Sequence, residues 1–240
     1  MEVRRTAILL SVRESGAADR IAVFFSKEQG KIRVFCPGSR RKLGKGGILQ
    51  PFSLLELQLD ESRDGFRLLE AQCVETYPEI VSDWERLAYG SILLETVEAL
   101  WPEEEPQYAL FDFLCIAIDK LRQRSPRITV AAALWQILEF AGVGIELNHC
   151  IYCGNPLEEG RFLSAEGGVA DNCMKLVAGI ECSTSVLEVL KELQSYPWNG
   201  VVQGTIRGKD LIIAEKILLD YLIYQLDKPL KSLQFLQKMK

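Results

Sequence analysis

Up to about residue 75 the apolar residues of this chain alternate, and from Ser82 onward they recur every three to four positions. That change of period separates a strand-forming part from a helix-forming part. Ile8, Leu10 and Val12 alternate with Leu9, Ser11 and Arg13; Ile21, Val23 and Phe25 alternate with Ala22 and Phe24; Lys31, Arg33 and Phe35 alternate with Ile32, Val34 and Cys36. Successive side chains of a strand point to opposite faces, so each segment has one face to bury. Between the second and third segments, Ser26 to Gly30 supplies a hairpin turn in which Gly30 suits a positive φ. After a loop rich in glycine and lysine (residues 37–47), Phe52 to Leu59 and Phe66 to Val74 complete five short strands. Five-stranded barrels of this size include the OB-fold. An SH3-like barrel fits the same pattern, because periodicity defines strands and not their closure.

The helical part opens at Ser82, which has capping-box spacing to Glu85. Trp84, Leu87, Leu94, Val97 and Trp101 fall on one stripe, and Leu110, Leu114, Ile118 and Leu121 form another after the Pro102 to Pro106 break. Leu134, Ile137 and Ala141 mark a third helix. Between Gly144 and Ile180 the period lapses into a stretch rich in Gly, Cys and Asn, the setting of a small inserted knuckle. Ser185 and Glu188 repeat the capping-box spacing, and Leu211, Ala214, Leu218 and Tyr221 stripe a final long helix before a basic tail, Lys228 to Lys240. The expected fold is α+β: a five-stranded β-barrel, of OB-fold or SH3-like closure, over residues 1–80, then a helical domain over 81–240 with a cysteine knuckle at about 148–182.

The formal net charge is −5, which by itself disfavours a nucleic-acid partner. The sum hides an asymmetry: residues 1–45 hold 11 Lys/Arg against 4 Asp/Glu, and the remaining residues hold 17 against 29. The positive charge lies at the front, and only the local field matters at a binding face. Apolar residues make up 48% and charged residues 25%, an ordinary globular balance that excludes a disordered or low-complexity chain. No run approaches the roughly 18 apolar residues of a membrane span, and Ala7 to Leu10 is too short for a signal-peptide core. Seven cysteines are an odd number, and four of them fall between Cys150 and Cys182, which favours metal or redox chemistry over a disulfide framework. A soluble, cytoplasmic protein with no membrane partner is expected.

Two groups of residues can carry chemistry. Lys31, Arg33, Arg40, Arg41, Lys42 and Lys45 form a basic strand and loop, with Phe24 and Phe35 standing on the same sides as Arg20, Lys31 and Arg33. Cations track phosphates, and aromatic rings offer unpaired bases a stacking surface. A solvated loop beside a second apolar barrel face accounts for the same residues. The second group is Cys150-Ile151-Tyr152-Cys153 followed by Cys173: a C-x-x-C turn presents two thiolates to one ion, and a third ligand can close from across a loop. A complete ribbon has a second C-x-x-C, and here only Cys173 remains. Asp171 can supply a fourth donor, with His149 and Cys182 as other candidates, and a knuckle that folds without metal is the competing reading. A redox C-x-x-C belongs at a helix N-terminus after a strand, which this stretch lacks.

Catalytic signatures are missing. There is no G-x-x-x-x-G-K-[ST], no G-x-S-x-G and no H-E-x-x-H, and the chain has one histidine. Glu103, Glu104 and Glu105 are consecutive and form a solvated acidic run. A non-enzymatic protein is expected, acting on DNA or serving as an interaction scaffold.

Several ordered motifs are similar to those of one family. Glu14-Ser15-Gly16-Ala17-Ala18-Asp19-Arg20, the run from Glu28 through Gly30-Lys31 to Gly38-Ser39-Arg40-Arg41, and Leu49-Gln50-Pro51-Phe52 resemble the N-terminal domain of the bacterial RecO recombination mediators. Trp101-Pro102-Glu103-Glu104-Glu105-Pro106, Cys150-Ile151-Tyr152-Cys153-Gly154 and Lys228-Pro229-Leu230-Lys231-Ser232-Leu233 follow in that family's order. The resemblance spans essentially the whole chain. It implies an OB-fold joined to a helical domain with a zinc knuckle. It also implies binding of single- and double-stranded DNA, annealing of complementary strands, and loading of RecA with RecR onto single-stranded DNA coated by single-strand-binding protein. Carried over, Lys31, Arg33, Phe35, Arg40, Arg41, Lys42 and Lys45 become DNA contacts, and Cys150 and Cys153 the first zinc pair. Family members with intact knuckles have cysteines near Asp171 and Met174, so this chain departs at the second pair. The acidic tail of single-strand-binding protein would want a hydrophobic groove rimmed by cations, for which Lys228, Lys231 and Lys238 are candidates.

Overall fold

The computed structural model describes residues 1–40, 47–171, 173, 178–201 and 208–238. The alternating segments become β1 (Glu2–Ser15), β2 (Asp19–Ser26), β3 (Gly30–Cys36), β4 (Leu54–Ser62) and β5 (Gly65–Glu75). They close into a barrel in the order β1-β2-β3-β5-β4, with β4 returning to β1. All neighbours are antiparallel except β3 and β5, which pair in parallel through Val34 with Phe66 and Phe35 with Arg67. The fold is the OB-fold and not the SH3-like alternative.

Ala7, Leu9, Ala22, Phe24, Ile32, Val34, Cys36, Leu55, Leu57, Leu59, Phe66 and Leu68 fill the barrel. Each large side chain so buried contributes about 1.5–3 kcal/mol. One expectation about β1 is corrected here. Strict alternation groups Ile8 and Leu10 with Val12, but a register shift between Leu9 and Ser11 sends Leu9 and Val12 to the interior together. A bulge inserts one residue and reverses the parity beyond it. Ile8 and Leu10 are nevertheless buried.

The chain packs into two compact units, Met1–Pro126 with Ser232–Lys240, and Arg127–Lys231. In the first, α1 (Pro78–Ser82), α2 (Trp84–Leu100) and α3 (Tyr108–Leu121) follow the barrel. The cap of α2 is Asp83, whose carboxylate accepts from the N–H groups of Glu85 at 2.9 Å and Arg86 at 3.1 Å, one residue later than the Ser82 spacing implies. Ser82 instead ends α1. Nor is α2 a one-stripe helix: Trp84 is exposed, while Ala88, Tyr89, Gly90, Ile92, Leu93, Leu94, Thr96 and Val97 are buried around most of its circumference. A Cβ on Gly90 would lie 2.6 Å from the ring of buried Phe52, so the helix passes that ring only as glycine. Arg86 closes the end of α3 by donating to the carbonyls of Leu121 and Arg124. The expected basic tail holds a further helix, α7 (Lys231–Lys238), tied to α2 through Ser232, whose N–H and hydroxyl both donate to Glu95.

The second unit contains α4 (Pro126–Phe140), a sheet of β6 (Gly160–Leu163), β7 (Gly168–Ala170) and β8 (Ile180–Cys182) in the order β7-β6-β8, then α5 (Thr184–Gln194) and α6 (Lys209–Leu226). The hydroxyl of Ser183 caps α5 by accepting from the Val186 N–H, ahead of the expected Ser185. Phe162 of β6 packs edge-on against Tyr221 of α6, and the Tyr221 hydroxyl donates to the Val143 carbonyl at 3.1 Å. No helix among the described residues is long and apolar enough to cross a membrane.

Candidate nucleic-acid interface and metal centre

Half of the outer face over β1, β2 and β3 is covered. Phe25 stacks on Phe111 of α3 with ring centroids 6.5 Å apart, and Lys27 donates to Asp112 at 2.9 Å, which holds the Lys27 ammonium above its ordinary range. Phe24 faces the barrel interior and is fully buried, so it is no stacking surface; the strand parity that sends it inward turns Phe25 outward under the helix. Lys31 also lies on the covered half, 9% exposed, with its ammonium donating to the Glu98 carbonyl at 2.7 Å.

The other half is open. Strand register sets Arg13 opposite Ile21, Ile21 opposite Phe35 and Phe35 opposite Arg67, a single lateral row across β1, β2, β3 and β5. With strands about 4.8 Å apart the row spans about 14 Å. Phe35 is 38% exposed, and Arg13 and Arg67 are exposed with no ion-pair partner among the described residues. Arg33 stands two residues from Phe35 on the same face, half exposed and paired with Glu103. Beyond Arg67 the next residue is Asp60, which is engaged by the N-terminal amine at 3.1 Å.

Arg40 lies apart from this row: its guanidinium meets Glu14 at 3.1 Å and the Gly16 carbonyl at 3.3 Å, fastening the start of the following loop to the β1–β2 turn. Arg41, Lys42 and Lys45 lie outside the described residues. The structure thus brings Arg33 and Phe35 together with Arg13 and Arg67, two residues that the sequence reading passed over. Nothing local distinguishes Arg13 or Arg67. Only the pairing register across four strands joins them to Phe35.

In the second unit, a turn carries Cys150 and Cys153, and Gly154 at φ +72° lets the chain reverse so that its N–H donates to the Cys150 carbonyl at 2.9 Å. The loop after β7 brings Asp171 and Cys173 over this turn. The Sγ atoms of Cys150 and Cys173 are 3.7 Å apart, and Cys153 Sγ is 3.3 Å from an Asp171 carboxylate oxygen. The four ligand atoms all lie within 4.8 Å of one another. Two thiolates bound at about 2.3 Å to one tetrahedral ion stand about 3.8 Å apart, so the donor set fits zinc.

The hydrogen bond with Cys173 holds Asp171 down at about 2 and pushes the Cys173 thiol far up. Burial opposes ionisation of Cys150, but backbone N–H groups, first that of Cys153, outweigh it and lower that thiol. His149 turns instead toward Glu146, at 3.8 Å, and Cys182 lies buried on β8, where burial pushes its thiol up to about 11. Neither joins the four. Met174 lies outside the described residues.

Comparison with known families agrees in both halves of the chain. The model of the recombination protein O N-terminal domain matches residues 1–77, and that of the recombination protein O C-terminal domain matches residues 81–234. The chain belongs to the RecO family. Among RecO relatives, the DNA repair protein RecO of Pelotomaculum thermopropionicum is 31% identical over 238 residues, covering 97% of this chain and 92% of the relative. RecO of Nocardioides sp. is 26% identical over 246 residues, covering 99% and 100%, and RecO of Desulforamulus reducens is 27% identical over 240 residues, covering 97% and 93%. This RecO-family chain is therefore matched over nearly its full length to DNA repair proteins.

Proposed function

We propose that this chain is a non-enzymatic DNA-binding mediator of recombination, which anneals complementary strands and helps RecR load RecA onto single-stranded DNA covered by single-strand-binding protein. The observation that carries this reading is the open row Arg13–Ile21–Phe35–Arg67 with Arg33 beside it. An exposed ring takes the face of any unpaired base, and flanking guanidinium groups take phosphates without reading sequence, which suits a protein that must accept every strand. The work asked of it is binding and exchange, for which no nucleophile or proton relay is needed.

Cys150, Cys153, Asp171 and Cys173 would hold a zinc ion as a structural clip, joining the 150–153 turn to the 171–173 loop. The ion supplies cohesion there and takes no part in a reaction. Lys228 and Lys231, both exposed, would meet the acidic tail of single-strand-binding protein; the side chain of Lys238, the third candidate, lies outside the described residues. Cytoplasmic location follows from the proposed task.

The test is a salt titration of a labelled single-stranded oligonucleotide with wild type and with Arg13→Ala, Arg33→Ala and Arg67→Ala. Each phosphate contact contributes about −0.7 to the slope of log K against log salt, so each lost arginine should flatten the slope by about that amount. A protein that serves only as an interaction scaffold binds no oligonucleotide and shows no slope. Metal analysis of the purified chain tests the clip, with about one zinc per chain expected and none in Cys150→Ser.

A further inference from the structure

The acidic segment between α2 and α3 is solvent-exposed, as its composition implies, but its backbone is pinned in place. It lies along β3 on the edge that β5 leaves unpaired. Glu103 makes a parallel bridge with Lys31, and the Glu104 N–H donates to the Lys31 carbonyl at 2.9 Å. Gln29 donates to the Glu104 carboxylate at 3.3 Å, and Arg33 donates to the Glu103 carboxylate. The segment passes so close over Gly30 that a Cβ there would stand 1.9 Å from the Glu105 carbonyl oxygen. Covering an unpaired strand edge protects it from pairing with other chains. Backbone bonds achieve that alone; they do not explain why the covering segment sets a carboxylate on Arg33, a cation at the border between the covered half of the barrel face and the open row.

We propose that Glu103 is an internal competitor for phosphate. In the free protein its carboxylate holds Arg33, and a nucleic-acid strand that stacks a base on Phe35 takes the guanidinium over, while the backbone bonds of the strap to β3 stay in place. Carboxylate and phosphate are alternative partners of the same donor fork. The exchange makes isolated small anions poor ligands for Arg33 and reserves it for a polyanion already held by Arg13, Phe35 and Arg67. The inference rests on the reading of this face as DNA-binding.

The test uses the full chain and a fluorescein-labelled oligothymidylate across a salt series, with wild type, Glu103→Gln, Arg33→Ala, the double variant and Glu104→Gln. The last removes one negative charge beside Gln29 and leaves Arg33 paired with Glu103, so it controls for net charge. Glu103→Gln should bind about two- to fivefold tighter than wild type at low salt, the scale of an exposed ion pair. Glu104→Gln should gain clearly less, and in the Arg33→Ala background the Glu103 effect should vanish. In the wild-type chain the Arg33 Nε–H resonance should move on adding the oligonucleotide, which needs no variant to fold. Equal gains from Glu103→Gln and Glu104→Gln, or a Glu103 effect that survives without Arg33, would overturn the competitor while leaving DNA binding standing. Binding by Glu103→Gln alone would support it. Failure of both wild type and Glu103→Gln to bind at low salt would defeat the DNA reading itself and the competitor with it.

Discussion

The barrel and the cysteine knuckle are held together by different means. Five strands of 7 to 14 residues enclose an interior of interlocked apolar side chains, whereas the knuckle sheet has strands of 4, 3 and 3 residues, at the short end of the usual range. The barrel carries its own cohesion; the knuckle buries a few apolar residues such as Phe162 and Val169 and, on the proposed reading, adds a metal held by four ligand atoms. If so, the knuckle should be the more sensitive of the two to loss of a single ligand.

The sharpest way to break this contrast is to damage each part by its own means. Phe24→Ala empties part of the barrel interior and should cost about 3–5 kcal/mol in a denaturant titration. Stripping metal with a chelator should instead abolish amide protection in β6, β7 and β8 and leave protection in β1 to β5 unchanged. Loss of protection in both regions, or in neither, would erase the distinction.

A smaller effect concerns the thiol of Cys182, the buried end of β8. Burial pushes its pKa from the ordinary 9.0 up to about 11, so the folded protein keeps a proton that the unfolded chain gives up. That stabilisation is complete below pH 9 and is lost as pH rises toward 11, about 2–3 kcal/mol over the window. Cys182→Ala should flatten that part of the alkaline slope, leaving the contribution of Cys115, whose thiol burial also raises to about 11. An unchanged slope would mean that Cys182 ionises alike in both states.

Phe35→Ala should weaken single-stranded oligonucleotide binding by about 1–3 kcal/mol, the worth of one base stacked on one ring. It should cost under about 1 kcal/mol of stability, since the ring is half exposed and outside the core. A large stability loss with no loss of binding would make Phe35 a packing residue. The smallest expected effect is that of Arg40→Ala, which removes an exposed pair with Glu14 worth about 0–1 kcal/mol. A marked drop in oligonucleotide affinity there would extend the interface beyond the row.

Strand positions and the hairpin at Gly30 were legible because period two is a local property of the chain. The bulge after Leu9 was not, since nothing in Ile8-Leu9-Leu10-Ser11 marks where one residue will fall out of register. The caps at Asp83 and Ser183 each lie one or two residues from a serine with correct spacing, and which residue adopts the extended cap conformation depends on how the preceding element ends. Arg33 and Phe35 could be named from the strand alone, but their companions Arg13 and Arg67 are 20 or more residues away on other strands. The grouping of Asp171 with three cysteines followed from donor chemistry. The fit of Glu103 onto Arg33 did not, because a run of three glutamates does not say which strand edge its backbone will cover.

The barrel is closed between β3 and β5 by two pairs of residues, Val34 with Phe66 and Phe35 with Arg67. That join connects segments roughly 30 residues apart, and the loop-closure entropy must be met before its few bonds repay it. It is therefore the zip most easily opened. Two members of the proposed contact row sit on either side of it, so a nucleotide held by both would act as a suture, and bound DNA would raise the barrel's resistance to opening with the logarithm of its concentration above Kd.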